Sequence, residues 1–251
     1  MSNESIVVYA GDGVPRAVAV ALAERVGVPM RTQPGEGLTL QLDADGLSLC
    51  GYGMRFHGDF EQMLRRITGG RLQHEMLARL SKTDLPHPTA IDATAGMGED
   101  SFLLAACGYE VTLYEQNPII AALLEDALHR AERHPVLGPI VAHMHLVVAD
   151  SVALMPHTAE PPTLIYLDPM FPARQKSGLI QKKLQLIQKL ESPCVQEAAL
   201  LDAAMSARPT KIIIKRPLKG AVLAGKKPHY CIKGKAIRYD CFHFPDREVY
   251  G

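Results

Sequence analysis

The 251-residue chain lacks several features that would fix a function at once. Its five cysteines (Cys50, Cys107, Cys194, Cys231, Cys241) are odd in number, and none stands in a CxxC or His-Cys spacing. That favours neither a disulfide framework nor a zinc site as the organising element. The ten histidines lack metal-ligand spacing too, so no metal is expected. No apolar run approaches the roughly 18 residues of a membrane span, and no basic region followed by an apolar core stands at the amino terminus. The expectation is a cytoplasmic protein without a membrane partner. Internal repeats, low-complexity tracts and the GxGxxG fingerprint of dinucleotide folds are also absent.

What the chain does have is unevenly placed. Net charge is zero, from 27 basic and 27 acidic side chains, yet Phe171 to Asp240 holds fifteen basic residues against four acidic ones, a net of +11. The remainder carries −11, and a charge dipole of this size suits one face to phosphates. The length accommodates one large α/β domain with or without a small appendage.

Residues 1 to about 80 read as a small α+β appendage. Ile6 to Tyr9 is a strand candidate, Pro15 to Val26 an alanine-rich helix, and Leu38, Leu40 and Leu42 alternate before Asp43-Ala44-Asp45-Gly46, with Leu47 and Leu49 on the return. That is a hairpin signature. A basic link at Arg65 to Arg71 leads into a helix from about Leu72 to Leu80. Residues 81–251 read as the main domain, alternating strand and helix: strands at Ala90–Ala93, Glu110–Tyr114, His145–Val148, Leu164–Leu167 and Lys211–Lys215, and helices at Asp100–Cys107, Pro118–Arg130, about Lys182–Leu190 and about Val195–Ser206. Such alternation specifies a mostly parallel sheet with helices on both faces. Tyr230 to Phe244, around Lys233-Gly234-Lys235, reads as a terminal antiparallel hairpin.

Four strand ends carry chemistry. After the first strand, IDATAGMGEDSF (Ile91 to Phe102) forms a glycine turn at a helix start, where Gly96 and Gly98 permit close approach of a ligand. A pyrophosphate there would meet Asp92, Glu99 and Asp100, which repel it, whereas a ligand with a positive centre is welcome. S-adenosyl-L-methionine, with its ammonium and sulfonium, meets that demand; a turn merely capped by carboxylates is the plainer alternative. Glu115, ending VTLYE and followed by Gln116, sits where an acid accepts ribose hydroxyls. Asp150 and Ser151 of VVADS can accept from an adenine amine, or cap a helix. The fourth end, LIYLDPMFP (Leu164 to Pro172), breaks from a buried strand into Asp168, Pro169 and Phe171. Two prolines stiffen this loop, so that Asp168 and backbone carbonyls can face an exocyclic amine while Phe171 stacks on its ring. Lys176, Lys182, Lys183, Lys215 and Arg216 are candidate phosphate contacts.

Together DATAGMGEDSF, YEQNPI, ADS, YLDPMFP and IKRP (Ile214 to Pro217) resemble the class I S-adenosyl-L-methionine-dependent methyltransferases. More narrowly they resemble the bacterial small-subunit ribosomal RNA guanine-N2 methyltransferase family J, from about Met63 onward. Two positions depart from that pattern: Glu99 stands where an arginine is expected before Asp100, and Gln116 replaces a basic residue. The resemblance implies a Rossmann-like sheet, S-adenosyl-L-methionine as cofactor, and methyl transfer to the N2 amine of a guanosine in small-subunit (16S) ribosomal RNA or the 30S particle. It assigns Asp168, Pro169 and Phe171 to catalysis, and Asp92, Gly96, Gly98, Glu99, Asp100, Glu115, Gln116, Asp150, Ser151 and Asp168 to the cofactor. Without it, another planar amine, such as adenine N6 or a glutamine amide, fits the same loop, and a non-catalytic RNA-binding protein also remains open.

Overall fold

The computed structural model of the chain describes residues 6–169, 184–190 and 196–244. In chain order, β1 (Ile6–Ala10) is followed by α1 (Arg16–Val26), β2 (Met30–Arg31), β3 (Leu38–Asp43), β4 (Gly46–Gly51) and β5 (Met54–His57). These strands form one sheet in the order β2-β1-β3-β4-β5. The leucine alternation does make the β3–β4 hairpin, with Leu40 opposite Leu49 and Leu42 opposite Leu47. β2 and β5 go beyond the sequence expectation, because two residues and the mixed run Met-Arg-Phe-His carry too little alternation to be seen.

Next come α2 (Leu64–Ile67) and α3 (Met76–Leu80). The single helix expected over Leu72–Leu80 is divided: Leu72–His74 is a 3-10 turn, and Glu75 is extended at φ −66° and ψ 129° before α3 begins. Both Glu75 oxygens are held by the Arg66 fork, with Nε and Nη2 each donating at 2.8 Å, so this residue serves Arg66 rather than a continuous helix.

The alternating part is β6 (Thr89–Asp92), α4 (Glu99–Ala106), β7 (Glu110–Glu115), α5 (Pro118–Glu132), α6 (Gly138–Val141), β8 (Met144–Val148), α7 (Ser151–Leu154), β9 (Leu164–Leu167), α8 (Leu184–Leu190), α9 (Glu197–Ser206) and β10 (Lys211–Pro217). It closes with β11 (Tyr230–Lys233) and β12 (Ile237–His243). The seven strands lie in the order β11-β12-β10-β9-β6-β7-β8. β10, β9, β6, β7 and β8 are parallel, and β12 and β11 add the antiparallel hairpin. This is the mostly parallel α/β sheet with a terminal hairpin that the sequence implied. Strand order reverses between β6 and β9, so the crevice of an open α/β sheet must lie between the loops that follow these two strands.

Helix α5 ties the two sheets together. Asn117 starts it, accepting from the Ile119 and Ile120 N–H groups, with Pro118 at the first helical position. Leu124, Ala127, Leu128 and Ala131 enter the core of the seven-stranded sheet, while Ile119, Ile120, Ala122 and Leu123 pack with Leu40, Leu47, Leu49 and Phe56 of the amino-terminal sheet. A helix apolar on two faces must be covered on two faces. Phe60, Met63 and Leu77 likewise pack into the core of the larger sheet. Among the described residues no helix is long and apolar enough to cross a membrane.

The turn after β6 depends on glycine at one point above all. Gly98 has φ +75°, and a Cβ there would lie 2.9 Å from Leu124 Cδ1. Gly98→Ala should therefore cost about 1–3 kcal/mol, from the left-handed backbone and the displaced leucine. Urea denaturation midpoints of the two proteins check this; a shift equivalent to less than half a kcal/mol would mean that the turn relaxes freely.

Candidate active site

The crevice at the switch point is a cleft of about 1220 Å³. Its walls come from the turn after β6, the ends of β7, β8 and β9, helix α8, the start of α9, Lys215 of β10 and the β11–β12 hairpin. Asp92, Gly96, Gly98, Glu99, Asp100, Glu115, Gln116, Asp150, Ser151, Asp168, Pro169 and Lys215 all line it. Five separated sequence motifs thus meet in one space, because the carboxyl ends of parallel strands share one edge. Phe171, Lys176, Lys182 and Lys183 lie outside the described residues.

At one end the glycine turn hangs between neighbouring strands. Ala93 N–H donates to the Tyr166 carbonyl and Ala95 N–H to the Tyr114 carbonyl, both at 3.1 Å. The Glu115 carboxylate closes this turn: Oε2 accepts from Gly96 N–H at 3.0 Å and Oε1 from Asn117 N–H at 2.7 Å. Burial pushes its carboxyl up, and the backbone donors pull it back. Each oxygen keeps a lone pair for a further donor. Asp150 does cap a helix, accepting from Val152 N–H at 2.9 Å, and its residue also borders the cleft. Gln116 and Glu99 are exposed at the rim. The Glu99 carboxylate accepts from Gln62 Nε2 at 3.4 Å and lies 3.9 Å from Arg66 Nη1.

Asp92 is deeper, at 1% exposure. Its oxygens accept from Ser101 Oγ at 2.6 Å and Thr94 N–H at 3.0 Å. Burial outweighs those two bonds and pushes its carboxyl up to about 7. The unfolded chain releases this proton near pH 4 and the folded protein only near 7, so the folded state binds more protons between those values. Asp92's contribution to stability is therefore fully present below about pH 4 and is lost as pH rises to about 7. Asp92→Asn keeps both neighbours paired, since the amide oxygen can accept from Thr94 and the amide nitrogen can donate to Ser101 Oγ. The variant should gain on the wild type by up to about 4 kcal/mol as pH rises through this window. Urea titrations at pH 4.5, 6 and 7.5 measure the difference, and a constant gap would refute the shift.

At the other end Asp168 ends β9. Its N–H donates to Thr94 Oγ1 at 2.7 Å, which locks the loop after β9 to the loop after β6. Its carboxylate lies 2.9 Å from Lys215 Nζ, which also donates to Asp100 Oδ2 at 2.8 Å. The Tyr166 hydroxyl donates to the same Asp100 oxygen at 2.6 Å. Burial pushes the Asp168 carboxyl up and the Lys215 ammonium pulls it down, leaving it above its ordinary value. For Lys215, burial alone would push the ammonium down, but the two carboxylates prevail and raise it well above an ordinary lysine.

The two basic residues of IKRP are therefore engaged inside the protein. Lys215 stands between carboxylates, and Arg216, on the opposite face of β10, has a side chain only 2% exposed and pairs with Glu197 at 3.3 Å. Alternation along a strand sends neighbours to opposite faces. It does not say that both faces are covered. The cleft also recruits residues outside the motifs, Arg66, His74, Glu75 and Met76 before β6 and Gly234, Lys235 and Tyr239 from the hairpin, and it gives Tyr166 of the YLDPMFP motif a part that was not expected of it. Arg66 had a signal as part of the basic link, and Gly234 and Lys235 as the turn of the expected hairpin; that these reach the cleft becomes visible once the strand order is known.

A family model described as "Putative SAM-dependent methyltransferase" matches residues 21–244. Relatives from Pseudomonas savastanoi pv. phaseolicola and Pseudomonas aeruginosa, both named ribosomal RNA small subunit methyltransferase J, are 39% identical over 228 residues. The matches cover 88% of this chain and 84% and 87% of theirs. The chain belongs to the methyltransferase J family. A crystal structure of a SAM-dependent methyltransferase from Neisseria gonorrhoeae, 30% identical, superposes with a TM-score of 0.73 over 98% of this chain and 99% of that one. As a member of methyltransferase J, the protein is an S-adenosyl-L-methionine-dependent enzyme, and the cleft suits that cofactor chemically. The left-handed glycines give backbone approach, Glu115 retains acceptor capacity for hydroxyls, and Asp100 and Asp168, which share the one Lys215 ammonium, leave a net negative charge that suits an ammonium and a sulfonium but repels phosphate.

Proposed function

We propose that this protein methylates the exocyclic N2 amine of a guanosine in small-subunit ribosomal RNA, using S-adenosyl-L-methionine. The observation that carries this reading is the placement of Asp168 and Glu115 on one cleft, an amine acceptor and a hydroxyl acceptor, each at the carboxyl end of its own parallel strand. The family's RNA substrate supports the polymer, and the YLDPMFP loop, through its resemblance, supports guanine. The cytoplasm, where ribosomes are assembled, is the proposed location, with the 30S particle as the candidate form of the substrate.

When bound, S-adenosyl-L-methionine supplies an electrophilic methyl group on a positively charged sulfur. In this reading Glu115 accepts the ribose hydroxyls, Asp150 and Ser151 border the adenine, and Gly96 and Gly98 leave room for the methionine part. Asp92, Glu99 and Gln116 complete that end, and Asp100 joins it to the Asp168 end through Lys215. At the other end the Asp168 carboxylate and the Pro169 carbonyl accept the two amine hydrogens and aim the nitrogen lone pair. Orientation is the large term for such a weak nucleophile, worth up to about 7–11 kcal/mol. As the nitrogen becomes tetrahedral it acquires positive charge, which Asp168 opposes at short range. The nitrogen–carbon bond forms as the sulfur–carbon bond breaks, with its electron pair kept by sulfur, and the methylated nitrogen then releases its proton to water, so Asp168 serves as an orienting acceptor and needs no raised basicity. Phe171 is the proposed stacking partner of a base that must first leave its helix, and Lys176, Lys182 and Lys183 are proposed phosphate contacts.

We also take residues 81–251 as the methyltransferase domain and 1–80 as its appendage. Part of the appendage backs the cofactor end: Leu49 and Phe56 pack in one cluster with Ile187 and Met97, both of which border the cleft.

Nucleoside mapping of small-subunit ribosomal RNA from cells with and without the gene tests the reaction. Loss of one N2-methylguanosine, restored by the wild-type gene, is expected. An unchanged map, or loss of an N6-methyladenosine instead, would overturn the assignment.

A further inference from the structure

Lys215 has the residue type of a phosphate contact and the position of something else. It lies on β10 directly opposite the buried Tyr239 of β12, and its ammonium bridges Asp100 Oδ2 of α4 and Asp168 Oδ2 at 2.8 and 2.9 Å. Its side chain is 27% exposed and borders the cleft. To reach a phosphate outside, it would have to leave two carboxylates without a counter-ion in a half-buried site. An ammonium has three N–H groups. Two are committed to carboxylates, which leaves one for the cleft.

We propose that Lys215 is a catalytic residue for methyl transfer: it fixes the Asp168 carboxylate as the acceptor for the target amine, and its third N–H donates to the ring acceptor that flanks this amine, N3 in guanine. The inference rests on the guanine-N2 reading above. A planar ring presents an amine beside an acceptor, and an acceptor carboxylate joined to a donor ammonium is the complementary pair. Asp100 then has a defined part as well. With Tyr166 it anchors the far side of Lys215, so the ammonium cannot follow Asp168 if the loop shifts.

The charges facing Asp168 from the surrounding elements are Asp92 of β6, Asp100 of α4, Lys215 and Arg216 of β10, with the tyrosines Tyr166 of β9 and Tyr239 of β12. Among the described residues Lys215 is the cation that Asp168 touches. Without it, Asp168 faces Asp100 with like charge and no counter-ion, and its carboxyl is pushed further above the ordinary value. A protonated Asp168 accepts one fewer hydrogen bond.

The test uses the full-length protein carrying Lys215→Met or Lys215→Arg. Methyl transfer to small-subunit particles purified from cells lacking the gene is followed from pH 6 to 9, and S-adenosyl-L-methionine binding by calorimetry. For Lys215→Met the expected result is a kcat lower by about 100-fold at pH 7, a particle KM within threefold of wild type, and an acid limb of kcat displaced to higher pH. Lys215→Arg should return the acid limb to its wild-type position while recovering only part of the rate, since a planar fork cannot copy a tetrahedral bridge. If Lys215→Met does not fold, the arginine variant carries the test through this same split of rate from pH profile. A raised KM with kcat and the acid limb unchanged, together with a shallower salt dependence, would overturn the inference and make Lys215 a phosphate contact. Wild-type enzyme that leaves guanine N2 unmethylated in these particles would overturn the proposed function itself, a result visible before any variant is made.

Discussion

Asp168→Ala should lower methyl transfer to unmodified small-subunit particles by about 10²–10³-fold, the usual loss when one preorganised partner of a developing charge is removed. The substitution deletes the acceptor placed at the end of β9 and frees Lys215 to lean on Asp100 alone. It leaves the backbone bond from residue 168 to Thr94 Oγ1 in place, so the loop keeps its attachment. Cofactor affinity should change by less than tenfold, because Glu115 and the glycine turn stand at the other end of the cleft. Asp168→Asn should fall between wild type and alanine: it keeps an acceptor oxygen but no charge for Lys215. Single-turnover methyl transfer, with cofactor binding measured separately, distinguishes these outcomes. Full activity in the alanine variant would remove Asp168 from the reaction.

The largest stability effect is expected at Arg238, far from any motif. Its Nε and Nη2 pair with the two oxygens of Asp240 at 2.8 and 2.9 Å, and Nη1 donates to the carbonyls of Pro217, Leu218 and Gly220 at 3.0, 3.2 and 2.8 Å. Both side chains are buried, at 9% and 4% exposure. One guanidinium thus gathers the turn that leaves β10 and neutralises a buried carboxylate. Arg216, its register partner on β10, donates to the Ala221 carbonyl at 2.8 Å and continues the clamp. Arg238→Ala strands Asp240 and the three carbonyls, and should cost about 3–5 kcal/mol. Arg238→Lys should recover less than half of that, since an ammonium cannot make the fork. The urea midpoint is the measurement; a loss below 1 kcal/mol would mean that water replaces the arginine at every partner.

Much of the site was legible because a parallel sheet turns linear order into spatial order. Asp92, Glu115, Asp150 and Asp168 stand at or just beyond strand ends in the sequence, and strands of one direction must deliver their ends to one edge. The glycine turn could be read for a similar reason: Gly96 and Gly98 do take positive φ, at +52° and +75°. Boundaries moved where no local signal existed. Glu75 interrupts the helix expected over Leu72–Leu80 because of a bidentate contact with Arg66, nine residues away, and no periodicity encodes such a contact.

Charge was harder to read than hydrophobic pattern. Counting basic residues from Phe171 to Asp240 gives +11, yet Lys215, Arg216 and Arg238 in that stretch serve carboxylates and carbonyls within the fold. A lysine and its partner here are 115 residues apart. By itself the sequence determined the alternation of strands and helices, and with it the set of side chains at the ligand edge, since both follow from local periodicity and one-directional strands. Which of those side chains neutralise one another was decided only by the tertiary structure. An ion pair depends on strand order and on the face each residue presents, and both are set by how the whole sheet assembles.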